Sequence, residues 1–273
     1  MTTYNPVPHL PSFTELLDLE ELDRDLYRGL NEIPPNDRPT LYGGQVAAQA
    51  LRAAGLTVPE GRYPHSLHSY FLRVGQRAKP VIYKVERDRD GGSFSSRRVS
   101  AIQDGEVIFD MSASFHVDRT GPEYLREMRT DLVPPDDCEP ESFNQNFPSC
   151  EARLVPPLRL TPMGRHLSTT LWVRIRQPLP DDRLIQGCAL TYVSDIGSGF
   201  TGPATMQMPI AAASLDHAMW FRSPVRADQW CLLDQYPVMA GGARGLYGGS
   251  IHSADGTLGA MLSQEMLFRE GQY

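Results

Sequence analysis

The chain has 273 residues, 41% hydrophobic and 22% charged, with a formal net charge of -7 and a pI near 5.5. That length is ample to bury a core, and the composition excludes disordered, collagen-like and disulfide-scaffold classes. Mean hydropathy is -0.35, no run approaches the ~18 apolar residues of a membrane span, and the acidic balance leaves no global basic footprint for nucleic acid.

A first amphipathic segment places Phe13, Leu16, Leu17, Leu19, Leu22 and Leu26 at roughly helical spacing, which predicts a helix from Phe13 to about Arg28. Pro34, Pro35 and Pro39 close it. Gly43-Gly44 then opens an alanine-rich helix that Gly55 ends, with side chains small enough for a sheet to pack closely over it. Strands are expected at about 65–73, 80–89, 94–103 and 106–117, joined by the turns Asp90-Gly91-Gly92 and Asp104-Gly105. Residues 118–163 are rich in proline and acidic residues and read as a long connector. The first pattern then returns, with a strand at about 167–176, a helix near 183–195, and strands at about 212–222, 229–238, 243–252 and 257–268. The expected division is 1–120, a connector 121–163, and 164–273.

The two halves lie on each other, so we read an internal duplication. Ser66-Leu67-His68 falls on Ser214-Leu215-Asp216 at an offset of 148, Arg97 on Arg244 at 147, and Asp104-Gly105 on Asp255-Gly256 at 151. Two departures from the twin stand out. Gln264 puts an amide on an apolar strand face where the first half has Ala113, and Asp216 lies within the apolar run 211–221, opposite His68. A polar group on such a face needs partners or costs about 1–3 kcal/mol, so both are candidate site residues. His217 should point away from Asp216 and reads as a packing histidine. There is no G-x-S-x-G elbow, no H-E-x-x-H metal cluster and no P-loop. The four cysteines contain no CxxC pair. Neither terminus carries a secretory or Ser-Lys-Leu signal, so a cytoplasmic location is expected.

Tyr42-Gly43-Gly44-Gln45-Val46, the stretch 65–73 and Ser93-Phe94-Ser95-Ser96-Arg97-Arg98-Val99 resemble the acyl-CoA thioesterase II family. In the second half Leu215-Asp216-His217-Ala218-Met219-Trp220-Phe221, Ala243-Arg244-Gly245, Asp255-Gly256 and Gln264-Glu265 do so too. The resemblance implies an α+β double hotdog, in which two helix-wrapped antiparallel sheets join into one, hydrolysis of acyl-CoA to fatty acid and coenzyme A, no metal or other cofactor, and a homo-oligomer. By motif it implies Asp216 and Gln264 as the aspartate and glutamine that orient the attacking water. The family's hydroxyl residue, counted back without gaps from Ala243, falls near Val238, which has none. Gly43 and Gly44 are expected at the thioester oxygen, with His68, Arg97 and Arg244 toward the substrate. The missing hydroxyl keeps a non-catalytic acyl-CoA binder or sensor open as an alternative, and the adjacent Asp216-His217 keeps a hotdog enoyl-CoA hydratase open.

Overall fold

The computed structural model describes residues 11–32, 39–141, 146–156, 169–197, 199–200 and 210–270. Within them one antiparallel sheet curls around two helices. The first half contributes β1 (Glu20–Asp23), β2 (Leu26–Gly29), β3 (Tyr63–Phe71), β4 (Val81–Asp90), β5 (Phe94–Gln103) and β6 (Glu106–His116). The second contributes β7 (Cys150–Leu154), β8 (Thr169–Ile175), β9 (Ile210–Ser214), β10 (Asp216–Phe221), β11 (Cys231–Gly241), β12 (Arg244–Ser253) and β13 (Leu258–Glu270). The order across the sheet is β1-β2-β4-β5-β6-β3-β10-β13-β12-β11-β8-β7, with β9 also on β13. The halves meet where β3 pairs β10, with His68 opposite Ala218. This is the expected double hotdog.

The wrapped helices are α2 (Gly43–Leu56) and α3 (Arg183–Ser194). Ala47, Ala48, Ala50, Ala53 and Ala54 of α2 are almost fully buried, so small side chains set a close approach of helix to sheet. Its two buried amides are satisfied: Gln49 Nε2 donates to the Leu16 and Leu30 carbonyls at 2.7 Å each, and the Gln45 amide bonds the 30–32 segment. α3 starts at Asp182, whose carboxylate accepts from the Leu184 and Ile185 N–H groups at 2.8 and 3.0 Å. The N-terminal turn of α2 packs on the C-terminal turn of α3, where the Tyr42 hydroxyl donates to the Tyr192 carbonyl at 2.6 Å.

Two expected elements come out differently. The helix begun at Phe13 ends at Leu17, and β1 and β2 follow as a hairpin whose turn holds Asp25 at φ 60. The apolar residues there serve a sheet edge as well as a helix, because a short run fits both periods. The connector is not structureless: β7 adds an edge strand to β8, and Trp172 Nε1 donates to the Val133 carbonyl at 2.9 Å beside buried Cys138, Val155 and Leu232. Residues 142–145 and 157–163 of the connector, and the start of the strand expected at about 167–176, lie outside the described residues.

Strand register refines the duplication. Both halves carry a one-residue irregularity in the hairpin, after Ala101 in β5 and after Ile251 in β12. Aligning these bulges puts Ala113 on Gln264, as the sequence suggested, but puts Arg97 on Tyr247 rather than Arg244. Through β3–β6 and β10–β13 it puts Ser66, not His68, on Asp216, and Leu67 on His217.

Candidate active site

The last residue of the α3 region is Asp195, the C-cap at φ -91, ψ 8. A carboxylate is unfavourable at the negative end of a helix, and this one is also half-buried. Burial pushes its acid up to about 6, against hydrogen bonds from Gln264, Ser214 and the Gly44 backbone that favour the anion. The Gln264 amide nitrogen lies 3.0 Å from Asp195 Oδ1 and 2.6 Å from Ser214 Oγ, and Ser214 Oγ is 3.3 Å from the same carboxylate oxygen. Asp195, Ser214 and Gln264 thus form one closed triangle of contacts from three separate elements: the end of α3, the end of β9 and the middle of β13.

A cavity of about 390 Å³ opens on this group. Its walls are mostly apolar, with Leu41, Val46, Phe71, Ile108, Phe109 and Leu267 among them, and Thr40 and Arg73 add polar groups. Asp195 and Ser214 line it beside Gly43. Gln264, 2% exposed, sits behind them. The first turn of α2 points its N–H groups at the same end, and Tyr42 at its N-cap makes no side-chain cap there. A Cβ on Gly43 would come within 2.7 Å of Asp195 Oδ2, and one on Gly44 within 2.5 Å of the Tyr192 carbonyl oxygen. Glycine is needed at both positions for the helix end to approach the carboxylate this closely.

Of the residues expected from sequence, Gln264, Gly43 and Gly44 are brought together. Asp216 is not. Between Ser214, opposite Met266, and Ala218, opposite Ser263, the strand spends four steps against three. Leu215 carries the extra residue, with its N–H on the Glu265 carbonyl and its own carbonyl taken by the Phe71 N–H. This slip reverses the alternation. Ser214 and His217 face the helices, whereas Asp216 lies half-buried with its carboxylate on the Glu265 N–H at 2.6 Å. Val238 is 58% exposed on a strand bulge and has no part in the triangle; the hydroxyl is Ser214. His68 is on the outer sheet face, its ring edge-on to Trp220. Arg97 is fully buried, donating to Thr57 Oγ1 at 2.7 Å and to Asp90 at 2.8 Å, which leaves it no route to a substrate. Arg244 pairs with Glu265 at the surface. Sequence reasoning missed Asp195 and Ser214. One signal was available for Asp195, an acid two residues after the mostly apolar stretch 188–193, where the helix dipole disfavours it.

Comparison with known proteins agrees with the architecture. Residues 34–116 match the acyl-CoA thioesterase N-terminal domain and residues 114–268 the acyl-CoA thioesterase C-terminal domain. Acyl-coenzyme A thioesterase 8 of Homo sapiens is 35% identical, over 94% of this chain and 88% of that protein. Acyl-CoA thioesterase 2 of Haemophilus influenzae is 34% identical, over 95% and 98%. Among solved structures, acyl-CoA thioesterase II TesB2 of Mycobacterium marinum superposes with a TM-score of 0.82 at 41% identity, covering 96% of this chain and 99% of that one. A hotdog protein of Alicyclobacillus acidocaldarius shares the fold at 18% identity, TM-score 0.76. With both domains matched in sequence order and relatives above 30% identity along nearly the whole length, the chain belongs to the acyl-CoA thioesterase family.

Proposed function

We propose that this acyl-CoA thioesterase cleaves its substrate with a water molecule activated by Asp195 and held by Ser214, while Gln264 fastens the two together. One observation carries the reading: a half-buried carboxylate, raised to about 6 and bonded to a hydroxyl and an amide, lines a mostly apolar cavity. The acyl group enters along the apolar wall and its thioester carbonyl meets the first turn of α2. Water, bonded to Asp195 and Ser214, loses a proton to Asp195 as its oxygen attacks the carbonyl carbon. The charge that develops on the carbonyl oxygen faces the N–H groups and positive end of α2. The carbon–sulfur bond then breaks, the proton held by Asp195 passes to the departing thiolate, and a carboxylic acid and coenzyme A remain. The binder alternative rested on a missing hydroxyl, and Ser214 supports the enzyme instead. The hydratase alternative needs Asp216 and His217 to converge, and they lie on opposite sides of the strand.

The protein is read as cytoplasmic, which its four free, buried cysteines suit. It is also read as a homo-oligomer. The outer face of β3 and β10 supports this, with Tyr70 58% and Trp220 44% exposed. No helix among the described residues is long and apolar enough to cross a membrane.

The test is release of free thiol from a series of acyl-CoAs. Asp195→Asn is expected to lower kcat by about 10²- to 10⁴-fold, and Ser214→Ala and Gln264→Ala by smaller factors, with the fold retained in each. Asp216→Asn and Val238→Thr should stay within about threefold of wild type, the scatter of surface changes. Wild-type turnover in Asp195→Asn would remove Asp195 as the base.

A further inference from the structure

Directly beside Gln264 on the helix-facing side of the sheet lies a second buried polar group that hydrolysis, as described above, does not use. His217 is 0% exposed. Ala218 pairs with Ser263, so the next step along the two strands places His217 across from Gln264. Its Nε2 is 2.8 Å from the Ser194 hydroxyl. Its Nδ1 and the Gln264 Oε1 are both buried without a hydrogen bond of good geometry, yet the amide is close enough to the ring to favour its protonated form. An unpartnered buried donor or acceptor costs about 1–3 kcal/mol, so two such atoms on neighbouring side chains point to each other.

The proton count agrees. Burial pushes the imidazolium down to about 4, so the ring is neutral near pH 7 and carries one proton. Gln264 turns its amide nitrogen to Asp195 and Ser214, which leaves only its carbonyl oxygen facing the ring. That oxygen needs a donor. When the Ser194 hydroxyl donates to Nε2 rather than to the Thr191 carbonyl, 2.8 Å from it, the ring's own proton is on Nδ1 and meets that need. The twin position in the first half is Leu67, beside Ala113. The half without the amide has no histidine either.

We propose that His217 is a positioning residue for hydrolysis: its Nδ1–H holds Gln264 Oε1, and so keeps the amide nitrogen on Asp195 and Ser214. A free glutamine amide turns over at small cost. Turned over, this one would set a carbonyl oxygen against the Asp195 carboxylate and release the hydroxyl. Such bonds are often loose in the free enzyme and tighten when substrate binds. The inference rests on the reading of Asp195, Ser214 and Gln264 given above.

The experiment measures kcat and KM for thiol release, with melting temperature, in two backgrounds. His217→Leu keeps the apolar bulk that the twin half carries at Leu67. It is expected to lower kcat by about tenfold, the factor for one hydrogen bond realised in the transition state, with KM within about twofold. His217→Asn, whose amide nitrogen takes the place of Nδ1, should return kcat to within about threefold of wild type. His217→Gln reaches Ser194 in place of Nε2, lacks the other donor, and should behave like leucine. In a Gln264→Ala background His217→Leu should cost nothing further. Equal turnover of the asparagine and glutamine variants overturns the inference, and this comparison decides it even where the leucine variant does not fold. The same fractional loss with and without Gln264, or unchanged kcat in folded His217→Leu, also overturns it. If Gln264→Ala alone turns over like wild type, the reading of the triangle fails, and His217 fails with it. If Gln264→Ala is impaired while His217→Leu is not, only the inference about His217 is lost.

Discussion

Asp195 gains its reactivity from an environment that costs stability. Its acid is raised from the ordinary 3.8 to about 6, so the native state binds the proton more tightly than the unfolded chain does. Stability from this group is therefore full below about pH 4 and falls as pH rises toward 6, above which the buried anion is carried at a cost on the order of 3 kcal/mol. Catalysis has the opposite demand, since only the anion accepts the water's proton. Two results follow. kcat/KM for thiol release should climb with pH along a limb centred near 6 and level off above it. Asp195→Asn, followed by thermal melting, should raise the melting temperature at pH 8 relative to wild type but not at pH 4. A flat activity profile between pH 5 and 7, or an asparagine variant less stable at both pH values, would contradict this account.

Among the elements, α2 and α3 end in unlike ways although the halves are twins. The C-cap of α3 is Asp195, and that of α2 is Thr57. Across the hairpin from Ala113, the twin of Gln264, stands Arg97. Its guanidinium fills the space beneath the end of α2, donating to Thr57 Oγ1, the Thr57, Arg89 and Ser96 carbonyls and the Asp90 carboxylate. The corresponding place in the second half holds Tyr247, whose hydroxyl is buried without a partner. One half spends its buried polar group on a plug and the other on a site. Arg97→Leu should therefore destabilise by about 3 kcal/mol in denaturant melts, because several acceptors lose their donor at once. Its kcat at 25 °C should remain close to wild type. Arg97→Lys should recover little, since one ammonium cannot span the acceptors that a planar guanidinium serves. A large fall in kcat without loss of stability would return Arg97 to the substrate.

For the molecule as a whole, the sheet is continuous through β3 and β10, and the helices of the two halves pack on each other. The triangle also needs both halves, because Gly44 of the first donates to Asp195 of the second. The halves are expected to unfold together. Trp172, Trp220 and Trp230 all lie in the second half, so tryptophan fluorescence follows that half and, through Trp220 against His68, the joint, whereas far-ultraviolet circular dichroism reports both halves. In a urea titration the two probes should share one midpoint. Separated midpoints would mean that the joint through β3 and β10 is weaker than the halves themselves.

Much of this was legible from local pattern. Period-two alternation in 106–117 marked β6, the alanine run from Gly44 marked α2, and the Asp-Gly turns marked both hairpins. The repetition of these signals declared the duplication, and the contrast of Gln264 with Ala113 marked one member of the candidate site. Such features depend on neighbours within a few residues, so the chain alone determines them. Ser214 and Asp195 depend on more. An uninterrupted strand over 212–222 puts Ser214 and Asp216 on one face and makes Asp216 the natural partner of Gln264. One extra residue at Leu215, invisible to periodicity, turns Ser214 and His217 inward and Asp216 out. Asp195, 69 positions from Gln264 in the chain, reaches it only because α3 is wrapped by β13. The sequence by itself determined the elements, their repetition and the family. Strand register and helix-on-sheet packing decided which acid and which hydroxyl line the cavity and which histidine stands beside Gln264, because a single-residue slip reverses a strand's faces while leaving its composition unchanged.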